Sequence, residues 1–121
     1  MNLDRYETVL NDTATVFEFV SEGKIGRINK IIEYSPTNVV PIYNLGFGDK
    51  NEITGELDDK IVTDNGDTQK VLATVAASVY VFTNQNPNIW IYATGSSISR
   101  NRLYRMGITK FLFEIEMRIR S

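Results

Sequence analysis

The segment ATVFEFVSEGKIGRINKIIEY (residues 14–34) holds two runs of β-branched and aromatic residues around a polar break. In the first run Val16, Glu18 and Val20 fall on one side of an extended chain, and Phe17 and Phe19 on the other. In the second, Ile25, Arg27, Asn29 and Ile31 alternate with Gly26, Ile28 and Lys30. Period-two alternation marks half-buried strands, and Ser21-Glu22-Gly23-Lys24 supplies turn formers between them. The pair reads as a β-hairpin.

Moving outward, Pro36 ends the second run and Thr37-Asn38 begins a turn. VVPIYNLGF (39–47) reads as a third strand, with Pro41 marking an edge position or the strand start. Residues 48–67, GDKNEITGELDDKIVTDNGD, form the least regular part: a long ordered loop with a short strand at Lys60–Thr63. A compact domain rarely keeps so long a loop without a use. Asp67 or Thr68 then caps a helix, in which Val71, Leu72, Val75, Val79 and Phe82 recur at helical spacing. Ala73, Ala76, Ala77 and Ser78 let it approach a sheet closely, and it ends near Asn84, before Asn86-Pro87. NIWIYAT (88–94) is a fourth strand whose continuous apolar run predicts a central, doubly covered position with Trp90 in the core. Gly95-Ser96-Ser97 breaks it, and Ser99 caps a second helix striped by Leu103, Tyr104, Ile108, Phe111, Leu112 and Ile115. Residues 111–119 also alternate as a strand would, but Glu114–Arg118 and Glu116–Arg120 are i,i+4 pairs in the favourable order, which favours helix. The expected fold is a single α+β domain over residues 1–121. It has a mostly antiparallel four-stranded sheet in β-β-β-α-β-α order and two helices packed on one face.

The composition narrows the chemistry. The chain has no cysteine, so disulfides, thiol catalysis and cysteine-ligated metals are excluded. It has no histidine, the usual base near neutral pH and the commonest metal ligand. The net charge of -2 gives no general basic surface for nucleic acid or membrane. No apolar run approaches the roughly 20 residues needed to span a bilayer, and residues 1–12 have no signal-peptide pattern. A soluble, cytoplasmic protein is expected.

The charge is unevenly placed. Residues 49–67 hold seven acids against Lys50 and Lys60, and residues 100–120 hold six bases against Glu114 and Glu116. Three arginines, Arg100, Arg102 and Arg105, stand at a helix start, where the dipole disfavours cations. Two readings follow. In one, Ser96, Ser97, Arg100, Arg102 and Arg105 hold a phosphate-bearing ligand, because a strand that breaks at glycine and serine and feeds a helix presents N–H groups to anions. In the other, the arginines close on an acidic clasp of Asp49, Asp58, Asp59 and Asp67, and this internal pairing is preferred. Asp58-Asp59 and Asp64-Asn65-Gly66-Asp67 are oxygen-rich, but their spacing fits no EF-hand loop, and turn and cap roles explain them. No metal, cofactor or catalytic residue is assigned.

The stretches FEFVSEGKIGRINKIIEY, IYNLGFGD, DDKIVTDNGDTQKVLATVAASVYVFT, NPNIWIYATGSS and SRNRLYRMGI together resemble an uncharacterised bacterial family of small proteins. This is a domain of unknown function of Bacteroidota-type genomes, with diverged phage relatives. The resemblance implies that Gly48-Asp49, Asp58-Asp59, Asn65-Gly66-Asp67, Gly95-Ser96 and Arg100-x-Arg102-Leu103-Tyr104-Arg105 belong to the family pattern. It supplies no activity. The functional expectation is a non-enzymatic binding or interaction module; the alternative is a magnesium-dependent enzyme or binder acting on a nucleotide or nucleic acid. The partner is a phosphate-bearing ligand or a protein, with self-association through the C-terminal helix as one form, and no membrane is involved.

Overall fold

The computed structural model describes residues 4–58 and 63–93. It is an α+β fold with one sheet and, among the described residues, one helix. The strands are β1 (Val9–Leu10), β2 (Val16–Gly23), β3 (Gly26–Pro36), β4 (Ile42–Lys50), β5 (Leu57–Asp58) and β6 (Trp90–Ala93); the helix is α1 (Thr68–Gln85).

The hairpin of residues 14–34 is present as β2 and β3, in a register that sets Phe17 opposite Ile32 and Phe19 opposite Lys30. Its turn lies at Lys24-Ile25, two residues beyond the expected centre, because β2 stays paired through Gly23↔Gly26. The shift has a physical cause. A Cβ on Gly23 would sit 2.0 Å from the backbone oxygen of Asn65, so only glycine lets that loop close over the hairpin tip. Gly26, at φ +113°, supplies the left-handed backbone the tight turn needs.

Among the described residues the sheet has six strands rather than the four expected, in the order β1-β2-β3-β4-β5 with β6 also on β4. The two additions, β1 and β5, are two residues long, too short to leave an alternation in the sequence. The expected short strand at Lys60–Thr63 falls mostly outside the described residues; the one observed is β5. The third strand starts at Ile42, after a cis Val40–Pro41 peptide bond, so Pro41 stands just ahead of it. α1 matches its expected span within a residue. The second helix lies outside the described residues.

Alternation sorts the strands into two faces. Phe17, Phe19, Ile32, Tyr34 and Leu45 turn toward α1 and meet Val71, Leu72, Val75, Val79 and Phe82 in one core. Each fully buried side chain of this size contributes about 1.5–3 kcal/mol. Phe82 stacks on Tyr34 at 4.1 Å between ring centroids and meets Tyr43 edge-on at 5.3 Å. Those contacts fix the C-terminal end of α1 at the end of the sheet where β3 finishes and β4 starts. Its N-terminal end lies at the opposite end, where Asp67 bonds Ser21 of β2.

One expectation is corrected at β6. Its backbone pairs parallel with β4, Trp90 opposite Ile42 and Ala93 opposite Leu45, and among the described residues β4 is its neighbouring strand. Trp90 is 55% exposed instead of buried, so the face of β6 that carries it is not the covered one expected. A continuous apolar run does not separate a central strand from one that shows an aromatic at the surface. Val39 and Val40 are exposed beside it, with Trp90 N–H donating to the Pro41 carbonyl at 3.1 Å. No described helix is long and apolar enough to cross a membrane.

Candidate functional site

Along its helix-facing side the sheet changes from apolar to polar. The sequence Tyr34, Ile32, Lys30, Ile28 down β3 places a lysine where the alternation demands an apolar residue, and Ser21 does the same on β2 after Phe17 and Phe19. Both are buried, Lys30 at 1% exposure. Burying an ammonium is costly unless it is paired and hydrogen-bonded. Here Lys30 Nζ donates to Asp49 Oδ1 at 2.6 Å and to the Thr63 carbonyl at 2.8 Å. The strand register sets Lys30 directly opposite Asp49. Thr63 completes the cluster by donating its hydroxyl to Asp49 Oδ2 at 2.5 Å and its N–H to the same carboxylate.

Residues 63–67 continue along this end of the domain as a clamp. Asn65, buried at 1% exposure, accepts from Ile25 N–H at 2.7 Å and donates to the Gly26 carbonyl at 2.8 Å and to Ser21 Oγ at 3.1 Å. Its backbone oxygen accepts from Lys24 N–H. Asp67 precedes the helix but makes no side-chain cap bond. Its carboxylate instead accepts from Ser21 Oγ and from the Tyr6 hydroxyl, each at 2.5 Å. Tyr6 also accepts from Glu22 N–H at 3.0 Å, stacks on Phe19 at 5.5 Å, and lies under Lys70 Nζ. Burial, then the hydrogen bond to Asp67, raises the Tyr6 pKa above its ordinary value.

The sequence-predicted residues fall as follows. Asp49 and Asp67 lie at this polar end, their carboxylates engaged by Lys30 and Thr63 and by Tyr6 and Ser21. Asp58 lies directly opposite Asp49 in the β4–β5 pair. Asp59, Ser96, Ser97, Arg100, Arg102 and Arg105 lie outside the described residues. The residues that sequence reasoning missed are Tyr6, Ser21, Lys30 and Thr63. Lys30 and Ser21 were signalled by breaking the apolar side of their strands; Tyr6 and Thr63 carry no local signal. Among the described residues no group of three acids is placed to hold a metal ion.

A family model matches residues 2–120, nearly the whole chain. The chain belongs to DUF6934, a family of unknown function. No curated protein and no solved structure matches it. Membership accounts for the resemblance seen in the sequence and, like it, assigns no chemistry to the DUF6934 fold. The site must be read from geometry.

In DUF6934 that geometry centres on one end of the sheet. β4 and β6 run parallel, so both carboxyl ends point toward Asp49, and the N-terminus of α1 lies at the same end. Ala93 stands opposite Leu45, four residues before Asp49, or about 14 Å along the strand. The seven residues from Ala93 to Arg100 span at most about 25 Å. That reach includes the end of the sheet that holds Asp49, Asp58 and Asp67; the arginines themselves lie outside the described residues.

Proposed function

We propose that this DUF6934 chain is a non-enzymatic, cytoplasmic binding module that takes a phosphate-bearing ligand at the carboxyl end of β6. Ser96 and Ser97 donate hydroxyls, and Arg100, Arg102 and Arg105 supply guanidinium forks. The observation that carries this reading is the parallel pairing of β6 with β4. Ligands of sheets with parallel strands collect beyond the carboxyl ends, where helix N-termini direct N–H groups outward. A helix starting at Ser99 would begin there, giving two helices on one face.

The engaged acids weigh on the same side. An internal clasp for the arginines draws on Asp49, Asp58, Asp59 and Asp67. Asp49 already holds a buried ammonium and a threonine, and Asp67 holds two hydroxyls. Releasing either would orphan buried partners.

The test is thermal unfolding of the full chain with inorganic phosphate and a nucleotide panel. A ligand at 100 times its Kd adds about 2.7 kcal/mol and raises Tm accordingly. The shift should vanish in an Arg102→Ala/Arg105→Ala chain. No shift with any member of the panel, or one that survives both substitutions, overturns the reading. A strong coupling between Arg102 and Asp59 in a double-mutant cycle would favour the clasp.

A further inference from the structure

We infer that Asn65-Gly66 is a self-modification site: a deamidation site that the fold keeps closed, and whose conversion to aspartate or isoaspartate stops the 63–67 segment from closing again. The inference does not depend on the anion reading.

The chemistry begins with the dipeptide, the only Asn-Gly in the chain. An asparagine loses its amide when the next backbone nitrogen attacks Cγ, and a glycine there has no Cβ to obstruct the approach. The Gly66 nitrogen bonds to Asn65 Cγ and the Cγ–Nδ2 bond breaks. Ammonia leaves, taking up the proton of Gly66 N–H, and a five-membered cyclic imide remains. Water then adds to either imide carbonyl, the ring C–N bond breaks, and residue 65 becomes aspartate or isoaspartate. The sum is amide plus water giving carboxylate plus ammonium, with solvent as the co-reactant.

The closed structure opposes each part of that step. Gly66 N–H donates to Asp64 Oδ1 at 2.9 Å, and a carboxylate so placed disfavours the amide anion that attacks. The Asn65 side chain, 1% exposed, is held at three points. Its Oδ1 accepts from Ile25 N–H at 2.7 Å, and its Nδ2 donates to the Gly26 carbonyl at 2.8 Å and to Ser21 Oγ at 3.1 Å. Swinging Cγ onto the Gly66 nitrogen breaks all three and strips the hairpin turn of its partner.

Opening of the segment removes the block. Thr63-Asp64-Asn65-Gly66-Asp67 carries no large apolar side chain, and hydrogen bonds hold it in place. It can lift without exposing the core of Phe17, Ile32, Val75 and Phe82, which places its opening among the local, low-energy ones.

Reclosing afterwards fails on proton count. Ser21 Oγ gives its single proton to Asp67 Oδ2, so it meets Asn65 as an acceptor. The Gly26 carbonyl is an acceptor as well. A carboxylate at position 65 has no proton for either, and it would bring a charge into a buried site beside two lone pairs. Isoaspartate also lengthens the backbone by one carbon, where the Asn65 backbone already fits closely over Gly23. The dipeptide thus turns a reversible opening into a permanent one.

The test uses the full chain held at pH 8 in native buffer and in guanidinium chloride, with peptide mapping by mass spectrometry to follow each asparagine. Asn65 should lose its amide fastest of all in denaturant, and at least about tenfold more slowly in native buffer. Gly23→Ala, which pushes the segment off the hairpin, should speed the reaction in native buffer and leave the denaturant rate unchanged. A chain deamidated in denaturant and then refolded should show a Tm lower by several degrees and faster amide exchange at Lys24 and Ile25. Gly66→Ala, compared with itself before and after the same treatment, should keep its amide and its Tm. Equal rates in the two solvents, another asparagine reacting faster in denaturant, or a deamidated chain that regains the parent Tm would each overturn the inference. Should Gly23→Ala or Gly66→Ala fail to fold, the rate comparison and the refolding of the parent chain decide alone.

Discussion

Replacing Asp49 by alanine isolates the energetics of the polar end. The change removes the carboxylate 2.6 Å from Lys30 Nζ and leaves that ammonium, 1% exposed, with the Thr63 carbonyl as its remaining acceptor among the described residues. Thr63 loses an acceptor for its hydroxyl and its N–H. Breaking a buried pair by removing one partner costs about 3–5 kcal/mol, because an uncompensated charge stays behind. Domains of this kind are stable by about 5–15 kcal/mol in all, so the loss is a large fraction of the total. At a urea slope of about 2 kcal/mol per molar, the midpoint should fall by about 2 M. The companion is Lys30→Met/Asp49→Leu, which removes both charges and keeps the volume. Exchanging a buried pair for apolar residues is often neutral or better, so the double variant should regain most of what Asp49→Ala loses. Circular dichroism melts in urea measure both. An Asp49→Ala chain within about 1 kcal/mol of the parent, on the scale set for exposed pairs, would show that water reaches Lys30. A double variant weaker than the single would show that the pair contributes net stability. Either result refutes the reasoning.

Other perturbations separate burial from mere proximity. Glu18→Gln breaks the Lys50–Glu18 contact, 2.8 Å long but 30% and 43% exposed at its two ends, and should cost no more than about 1 kcal/mol in the same melts. Gly23→Ala forces a methyl against the Asn65 backbone and should cost about 1–3 kcal/mol, with faster amide exchange at Lys24 and Ile25. Tyr6→Phe keeps the stacking on Phe19 but removes the hydroxyl from Asp67 and Glu22, for a loss of about 1–3 kcal/mol. Tyr6 also sets a pH dependence. Its folded pKa is raised, so the stability held by the protonated phenol is fully present below the ordinary value of 10.0 and is lost as pH rises through the folded pKa. Tyr34, raised by burial against a smaller opposing effect of its Ser78 bond, acts in the same direction. Urea melts from pH 8 to 11 should therefore show declining stability in the parent and a shallower decline in Tyr6→Phe.

What was legible in the sequence followed from periodicity. Phe17 and Phe19 against Val16, Glu18 and Val20 identify β2 and its inner face; Val71, Val75, Val79 and Phe82 identify α1. These signals are local and repeat over several turns or pleats. What was not legible depends on contacts between distant segments. The hairpin turn moved because Asn65, some forty residues away, closes on it. Asp67 was read as a helix cap, yet its carboxylate serves Tyr6 and Ser21 from other elements. Trp90 was read as core because an apolar run carries no information about which edge of the sheet it joins. Lys30 was the signal left unused: a charge on the inner side of a strand either breaks the assignment or announces a buried partner, and Asp49 is that partner.

The parallel pairing of β4 and β6 changes how the charge pattern is understood. In the sequence, the acids of 49–67 and the bases of 100–120 look like two halves of one internal contact. In the fold, the acids at Asp49 and Asp67 already face inward and hold Lys30, Thr63, Ser21 and Tyr6, which are the groups that lock the hairpin, the loop and α1 together. An acid committed to that task cannot also neutralise an arginine without giving up a buried partner, at a cost larger than any exposed ion pair returns. Arginines that cannot draw on those acids are neutralised from outside more readily than from within. That imbalance, more than the presence of arginines at a helix start, is why an anion from solution is the reading to test first.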